Sequence, residues 1–184
     1  DISIIDELPP NRKKIETYPV TKNYERRVEE FIRSNVQSGR QAYVVCPLVE
    51  DSEEFDNFKS VMEIAEKYKD TVFPEFRVEY LHGKMKQKEK DEIMHKFKDG
   101  EIQILVSTTV IEVGVNVPNA NIMVVQNAEH FGLAQLHQLR GRAGRGEYQS
   151  YCILIYEGNS KTTRERMKIM KDTDNGFIVA EKDL

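Results

Sequence analysis

Apolar residues along the chain switch repeatedly between two periods. Tyr24, Val28, Phe31 and Ile32 fall at i, i+4, i+7 and i+8, one face of a helix, with Thr21 placed to cap it and Gly39 to stop it. Ala42-Tyr43-Val44-Val45-Cys46 is an unbroken apolar run closed by Pro47, which suits a buried strand. Phe55, Phe58, Met62 and Ala65 mark a second helix, and Ile93, Met94 and Phe97 a third, ended by Asp99-Gly100. Short strands are predicted over 78–81, 102–106, 122–126 and 151–156, and helices over 133–141 and 162–171. Residues 15–20 read as extended, with Pro19 pushing them to a sheet edge.

Strand followed by helix, repeated, predicts an α/β fold: a parallel sheet covered by helices on both faces. In such sheets ligands collect at the carboxyl ends of the strands, here the turns after Cys46, Leu81, Val106 and Gln126. Residues 1–14, with Pro9, Pro10 and a basic triplet, read as an interdomain linker without an initiating Met. Residues 15–160 form the domain, and 161–184 begin a helical extension.

Composition trims the options. The chain has 184 residues, 39% hydrophobic and 32% charged, with 27 basic against 31 acidic side chains and a net charge of −4. That is a globular composition rather than a disordered one. No apolar run approaches the ~20 residues of a membrane helix, and no signal peptide is legible, so a cytoplasmic location is expected. Cys46 and Cys152 lie in separate apolar runs and read as reduced core thiols. The mild acidity hides basic clusters at Lys84, Lys86, Lys88 and Lys90, and at Lys161, Arg164, Arg166, Lys168 and Lys171. These serve equally as phosphate tracks or as solvated helix faces. His130 and His137, seven apart, could share a helix face, but no third ligand at metal spacing accompanies them. Tyr148 and Tyr151 suit strand packing better than base stacking.

The richest stretch is 130–145. On a helix at about 100° per residue, Gln138, Arg142 and Arg145 project to one side, and Leu133, Leu136 and Leu139 to the other. Guanidinium groups among small residues suit phosphate oxygens, and Gly141 and Gly144 predict that the helix ends there. A second candidate follows the strand at 102–106: Ser107, Thr108 and Thr109 offer hydroxyls, Gly114 close approach and Asn116 an amide.

These residues match a known pattern. Gln138-x-x-Gly141-Arg142-x-Gly144-Arg145 is similar to motif VI of superfamily 2 helicases, and Thr108 through Pro118 resembles motif V. Tyr43 to Asp51 stands where motif IV belongs, and Leu81-His82-Gly83 resembles the strand end between IV and V. Leu-Pro-Pro-Asn-Arg-Lys at 8–13, Val-Cys-Pro-Leu-Val-Glu-Asp-Ser-Glu at 45–53 and the wording of 130–142 look like the RecG branch of these helicases. Residues 167–184 look like the start of that family's translocation segment.

The resemblance implies a second RecA-like motor domain of an ATP-dependent translocase acting on branched double-stranded DNA, in repair and recombination. It implies Arg145 as an arginine finger, Arg142 on the same phosphates, and Gln138 as the coupling residue. Gly114 and Asn116 would line the nucleotide cleft. Thr108, His82, Gly83, Arg164, Arg166 and Lys168 would face DNA. Its partners would be a first RecA-like lobe and a wedge domain of the same protein, in a monomer. Thr109 departs from the family, where many relatives carry Asp, and Asn116 stands where many carry Asp too. Two other readings stay open: the motor lobe of a transcription–repair coupling factor, and a free-standing nucleic-acid-binding module. No Gly-x-x-x-x-Gly-Lys-Ser/Thr occurs and no acidic pair follows an apolar strand, so ATP and Mg²⁺ would be held mainly by the first lobe. This piece alone is expected not to hydrolyse ATP.

Overall fold

The computed structural model describes residues 15–48, 54–108, 117–143 and 146–172, without the side chains of 54–58. Its strands are β1 (Glu16–Thr21), β2 (Gln41–Val45), β3 (Val78–Leu81), β4 (Ile104–Ser107), β5 (Ala120–Val125) and β6 (Tyr151–Tyr156). Its helices are α1 (Glu25–Gln37), α2 (Glu54–Lys67), α3 (Gln87–Lys98), α4 (Leu133–Arg140) and α5 (Lys161–Asp172). All six strands form one sheet in the order β1-β6-β5-β2-β4-β3, and every pairing is parallel.

The apolar runs become central strands because both sides of the sheet are covered. Ala42, Val44, Ile104, Val106, Ile122, Val124, Ile153 and Ile155 face α1 and α2, meeting Val28, Ile32, Val36, Val61 and Ala65. The alternate residues Tyr43, Val45, Leu105, Met123, Val125, Cys152 and Leu154 face the other way. They meet Met94 and Phe97 of α3, Leu133, Leu136 and Leu139 of α4, and Met167 and Met170 of α5. Thus α5 packs into the same core as the rest of the lobe. β1 pairs only with β6, so Pro19 stands at the sheet edge as its ring requires. Gly39 and Gly100, at φ +99° and +86°, end α1 and α3 in the left-handed conformation that favours glycine.

Several expectations need correction. Thr21 does not cap α1: a 3₁₀ turn at Lys22–Tyr24 comes first, and the Thr21 side chain makes no capping bond. That turn carries Tyr24 away from the core, to 46% exposure. On α2, Val61 and Ala65 face inward while Met62 is 44% exposed, a one-position slip that turns a side chain through about 100°. After α2 comes a π-helical turn at Tyr68–Val72 that no local pattern announced. There Arg33 bonds the Val72 carbonyl and lies 5.1 Å over the Phe73 ring. His130 sits in a 3₁₀ turn, Ala128–His130, and His137 in α4, so they share no helix face. Tyr151 does belong to an aromatic group, 4.8 Å from Phe31 edge-on and 6.3 Å from Tyr18. No helix among the described residues is long and apolar enough to cross a membrane.

Candidate nucleotide and nucleic-acid interface

α4 begins where Gly132 donates its backbone N–H to the Gln135 side chain at 3.0 Å, one half of a capping box, the half that a glycine N-cap can make. It stops at Arg140, as the glycines predict, with Gly141 at its carboxyl cap. Leu133, Leu136 and Leu139 are buried, and Gln138 and Arg142 are exposed on the opposite side. Burial pushes the Tyr43 phenol up, and the Arg142 guanidinium pulls it back. Arg145, Gly114, Asn116 and Thr109 lie outside the described residues.

The sequence reading passed over Arg140. It is 2% exposed, a guanidinium on the leucine side of α4. It donates to the Met170 carbonyl of α5 at 2.8 Å, to Thr17 Oγ1 of β1 at 3.3 Å and to His137 Nδ1 at 3.2 Å. Arginine has only donors, so His137 accepts through Nδ1 and carries its own proton on Nε2. Burial first, and then Arg140, hold His137 below the ordinary histidine range. The signal was there to read, since the helical wheel places Arg140 between Leu133 and Leu136. A buried arginine needs partners, and these tie α4 to α5. Two further bonds join the same crossovers: Glu129 Oε1 accepts the Glu157 N–H at 3.1 Å, and Arg166 donates to the Phe131 carbonyl at 3.3 Å. Arg166 is half-buried and engaged in packing, whereas Arg164 and Lys168 are exposed along α5.

At the carboxyl edge, β3 delivers His82 and Gly83. The His82 ring stacks on Tyr80, and its Nδ1 accepts the Lys84 N–H at 3.2 Å, leaving Nε2 as the donor of the neutral ring. Gly83 has no left-handed φ and nothing within 4 Å of the place a methyl would occupy. Lys84, Lys86 and Lys88 are exposed beside it, but Lys90 is buried and does not extend the patch. Thr108 is 3% exposed and Ser107 is equally buried, so neither hydroxyl faces solvent.

The two candidate regions stand apart. α4 leaves the carboxyl edge after β5 and runs back along the sheet. Beyond its end, Gly146 packs against Pro118, two residues before β5 begins, at the amino edge. His82 and Gly83 thus follow the carboxyl end of a strand, β3, whereas Arg142 follows the carboxyl end of a helix, α4. Among the described residues no group of three or more His, Cys, Asp or Glu side chains could hold a metal ion.

Residues 23–147 match the family described as the helicase conserved C-terminal domain. The whole chain is 50% identical to the ATP-dependent DNA helicase RecG of Bacillus subtilis and 47% identical to that of Thermotoga maritima. It covers 27% and 24% of those proteins, so it spans about a quarter of their length. A solved structure of RecG bound to a three-way DNA junction superposes over 96% of this chain and 22% of that one, with TM-score 0.80 and 43% identity. The DEAD-box protein SrmB of E. coli, 17% identical with TM-score 0.61 over 86% of this chain and 87% of that one, shares the fold. With its sheet order, motif helix and strand ends in place, the chain belongs to the helicase conserved C-terminal domain family, and it matches RecG along its whole length.

Proposed function

We propose that this chain is the second motor lobe of an ATP-dependent translocase that remodels branched double-stranded DNA. The Arg140 bridge carries the reading. α4 and the turn that follows it present Gln138 and Arg142 outward, as phosphate-binding groups, and α4 is bolted by Arg140 on its inner side to α5, whose outer face is basic. An event at the nucleotide end of α4 therefore moves α5 with it. The RecG of known structure is bound to a three-way junction, which supports branched DNA as the substrate class.

Arg142 and Arg145 approach the phosphates of ATP held by a first lobe, together with its Mg²⁺, and Gly114 and Asn116 border the same cleft. ATP, when bound, supplies a γ-phosphoryl group whose transfer to water spreads negative charge over its equatorial oxygens. Guanidinium groups delivered from a second lobe stabilise that charge, an effect worth about 10³–10⁵ in rate. No metal ligands are assigned to this lobe. On the DNA side, the His82 Nε2–H and the open backbone at Gly83 meet one phosphate run, and Arg164 and Lys168 another. Thr108 is too buried here to meet a phosphate directly, and Arg166 serves packing.

The test mixes this lobe with a separately made first lobe and measures ATPase with and without forked DNA. Turnover that needs both lobes and DNA is expected, and hydrolysis by this lobe alone would sink the reading. In the intact protein, Arg145→Ala should lower DNA-stimulated turnover by roughly 10³-fold while DNA binding stays near normal. Normal turnover in that variant removes the finger assignment.

A further inference from the structure

A side chain at Gly146 would meet Pro118 more tightly than most Cβ contacts in proteins. A Cβ at Gly146 would stand 3.1 Å from the Pro118 carbonyl oxygen and 3.2 Å from Pro118 Cβ. The Gly146 φ lies outside the left-handed range, so the backbone conformation does not demand glycine there; space does.

Pro118 is poorly able to give way. Its ring fixes φ. Val117 before it is buried in the core, and its carbonyl accepts the Ala120 N–H at 2.9 Å. Asn119 after it is pinned twice, donating to the Gly39 carbonyl at 2.8 Å and to Gln41 Oε1 at 3.1 Å, while its own carbonyl accepts the Gln41 N–H at 3.1 Å. Gln41 is anchored in turn to the Phe97 and Ile102 carbonyls at 2.6 and 2.7 Å.

The other side is held as well. Ala143 is fully buried, and its N–H reaches the Arg140 carbonyl at 3.1 Å. Past Gly146, the Tyr148 ring lies 3.4 Å beneath the Arg40 guanidinium, and the Gln149 carbonyl accepts from Asn121 at 2.9 Å. Gly146 is thus where the strip after α4 rests on the strip before β5. Arg142 precedes it in the first strip.

We infer that Gly146 is a positioning residue: its bare α-carbon, seated on Pro118, sets the spacing between the arginine-bearing strip and the strip that leads into β5. This rests on the reading of the lobe as one side of an ATP cleft. A methyl at 146 forces the strips apart by a few tenths of an ångström and withdraws the Arg142 guanidinium from a phosphate placed by another lobe. Small misplacements of groups that act in the transition state cost turnover rather than affinity.

The experiment uses the intact protein carrying Gly146→Ala, the double variant Gly146→Ala/Pro118→Gly, and Arg142→Ala. It reads kcat and KM for ATP with forked DNA, DNA affinity and Tm. Gly146→Ala should lower kcat about tenfold with little change in KM. The double variant, which removes the proline Cβ and frees its backbone, should recover at least half of the lost turnover. Wild-type kcat in Gly146→Ala, or a loss that the second substitution does not relieve, overturns the inference. Arg142→Ala separates the two readings: full turnover there removes the ATP-cleft role itself, whereas loss there with normal Gly146→Ala removes only the spacing role.

Discussion

Gly83, at the carboxyl end of β3, has nothing within 4 Å of the space a methyl would fill, whereas Gly146, beyond α4, would drive that methyl to 3.1 Å from a carbonyl oxygen. Neither is left-handed. The packing disfavours a side chain at 146 and sets no such constraint at 83. A glycine that the fold does not need points outward, to something that approaches the backbone from solvent, and a phosphate run is the approach proposed here. A glycine crowded by its own chain points inward, to a distance that must be kept. Under the proposed function the carboxyl edge receives a phosphate run, while the far end of α4 is packed against the chain itself.

Between them stands Arg140, and its loss offers the largest break in this contrast. Arg140→Ala empties a buried site and leaves the Met170 carbonyl without its donor at 2.8 Å. We expect about 3 kcal/mol of destabilisation, roughly 6–12 °C in Tm for a domain of this size. Thermal unfolding checks it, and an unchanged Tm would mean that α4 and α5 are not joined through this side chain. Gly83→Val is the sharper and smaller test. DNA affinity should fall by about 1 kcal/mol, roughly fivefold, with Tm unmoved. If affinity in a salt-matched titration does not change, no phosphate passes over Gly83.

The smallest effect concerns pH. His137 is held below its ordinary value of 6.5 in the fold, so the unfolded chain takes up its proton more readily than the folded one. The contribution to stability is complete above about pH 6.5 and is lost as pH falls below it, when a charged ring would face the Arg140 guanidinium. Melting should therefore shift down between about pH 7.5 and pH 5.5, and His137→Gln, which does not titrate, should shift less. Identical shifts would show that the pair at 3.2 Å carries no pH dependence.

Much of this was legible in the sequence because it depends on local periodicity. Unbroken runs such as Ala42 to Cys46 became central strands, and the leucine stripe of α4 faced the core while Gln138 and Arg142 faced out. What escaped depends on contacts between distant residues. The π-helical turn at Tyr68–Val72 has its Val72 carbonyl bonded by Arg33 of α1, and no window around residue 70 contains that arginine. The seat of Gly146 on Pro118 joins two crossovers whose sequences share no pattern. Arg140 is a different case. Its place on the apolar side was open to view, but the motif drew attention to the arginines either side of the glycines that follow it. Arg166 and Lys90 show the converse, since each joined a basic cluster by spacing and each turned out partly or wholly covered.

Pro19 has a consequence for how this piece behaves among copies of itself. In the parallel pairing of β1 with β6, Glu16 donates inward to the Ser150 carbonyl, so the alternate residues Thr17, Pro19 and Thr21 present their backbone outward. The middle one has no N–H to offer. An exposed strand edge is a template on which a second chain can add and a fibril can grow, and a proline at its centre breaks the row of donors. The missing donor at Pro19 thereby weakens this strand as a template for pairing with another copy of the chain.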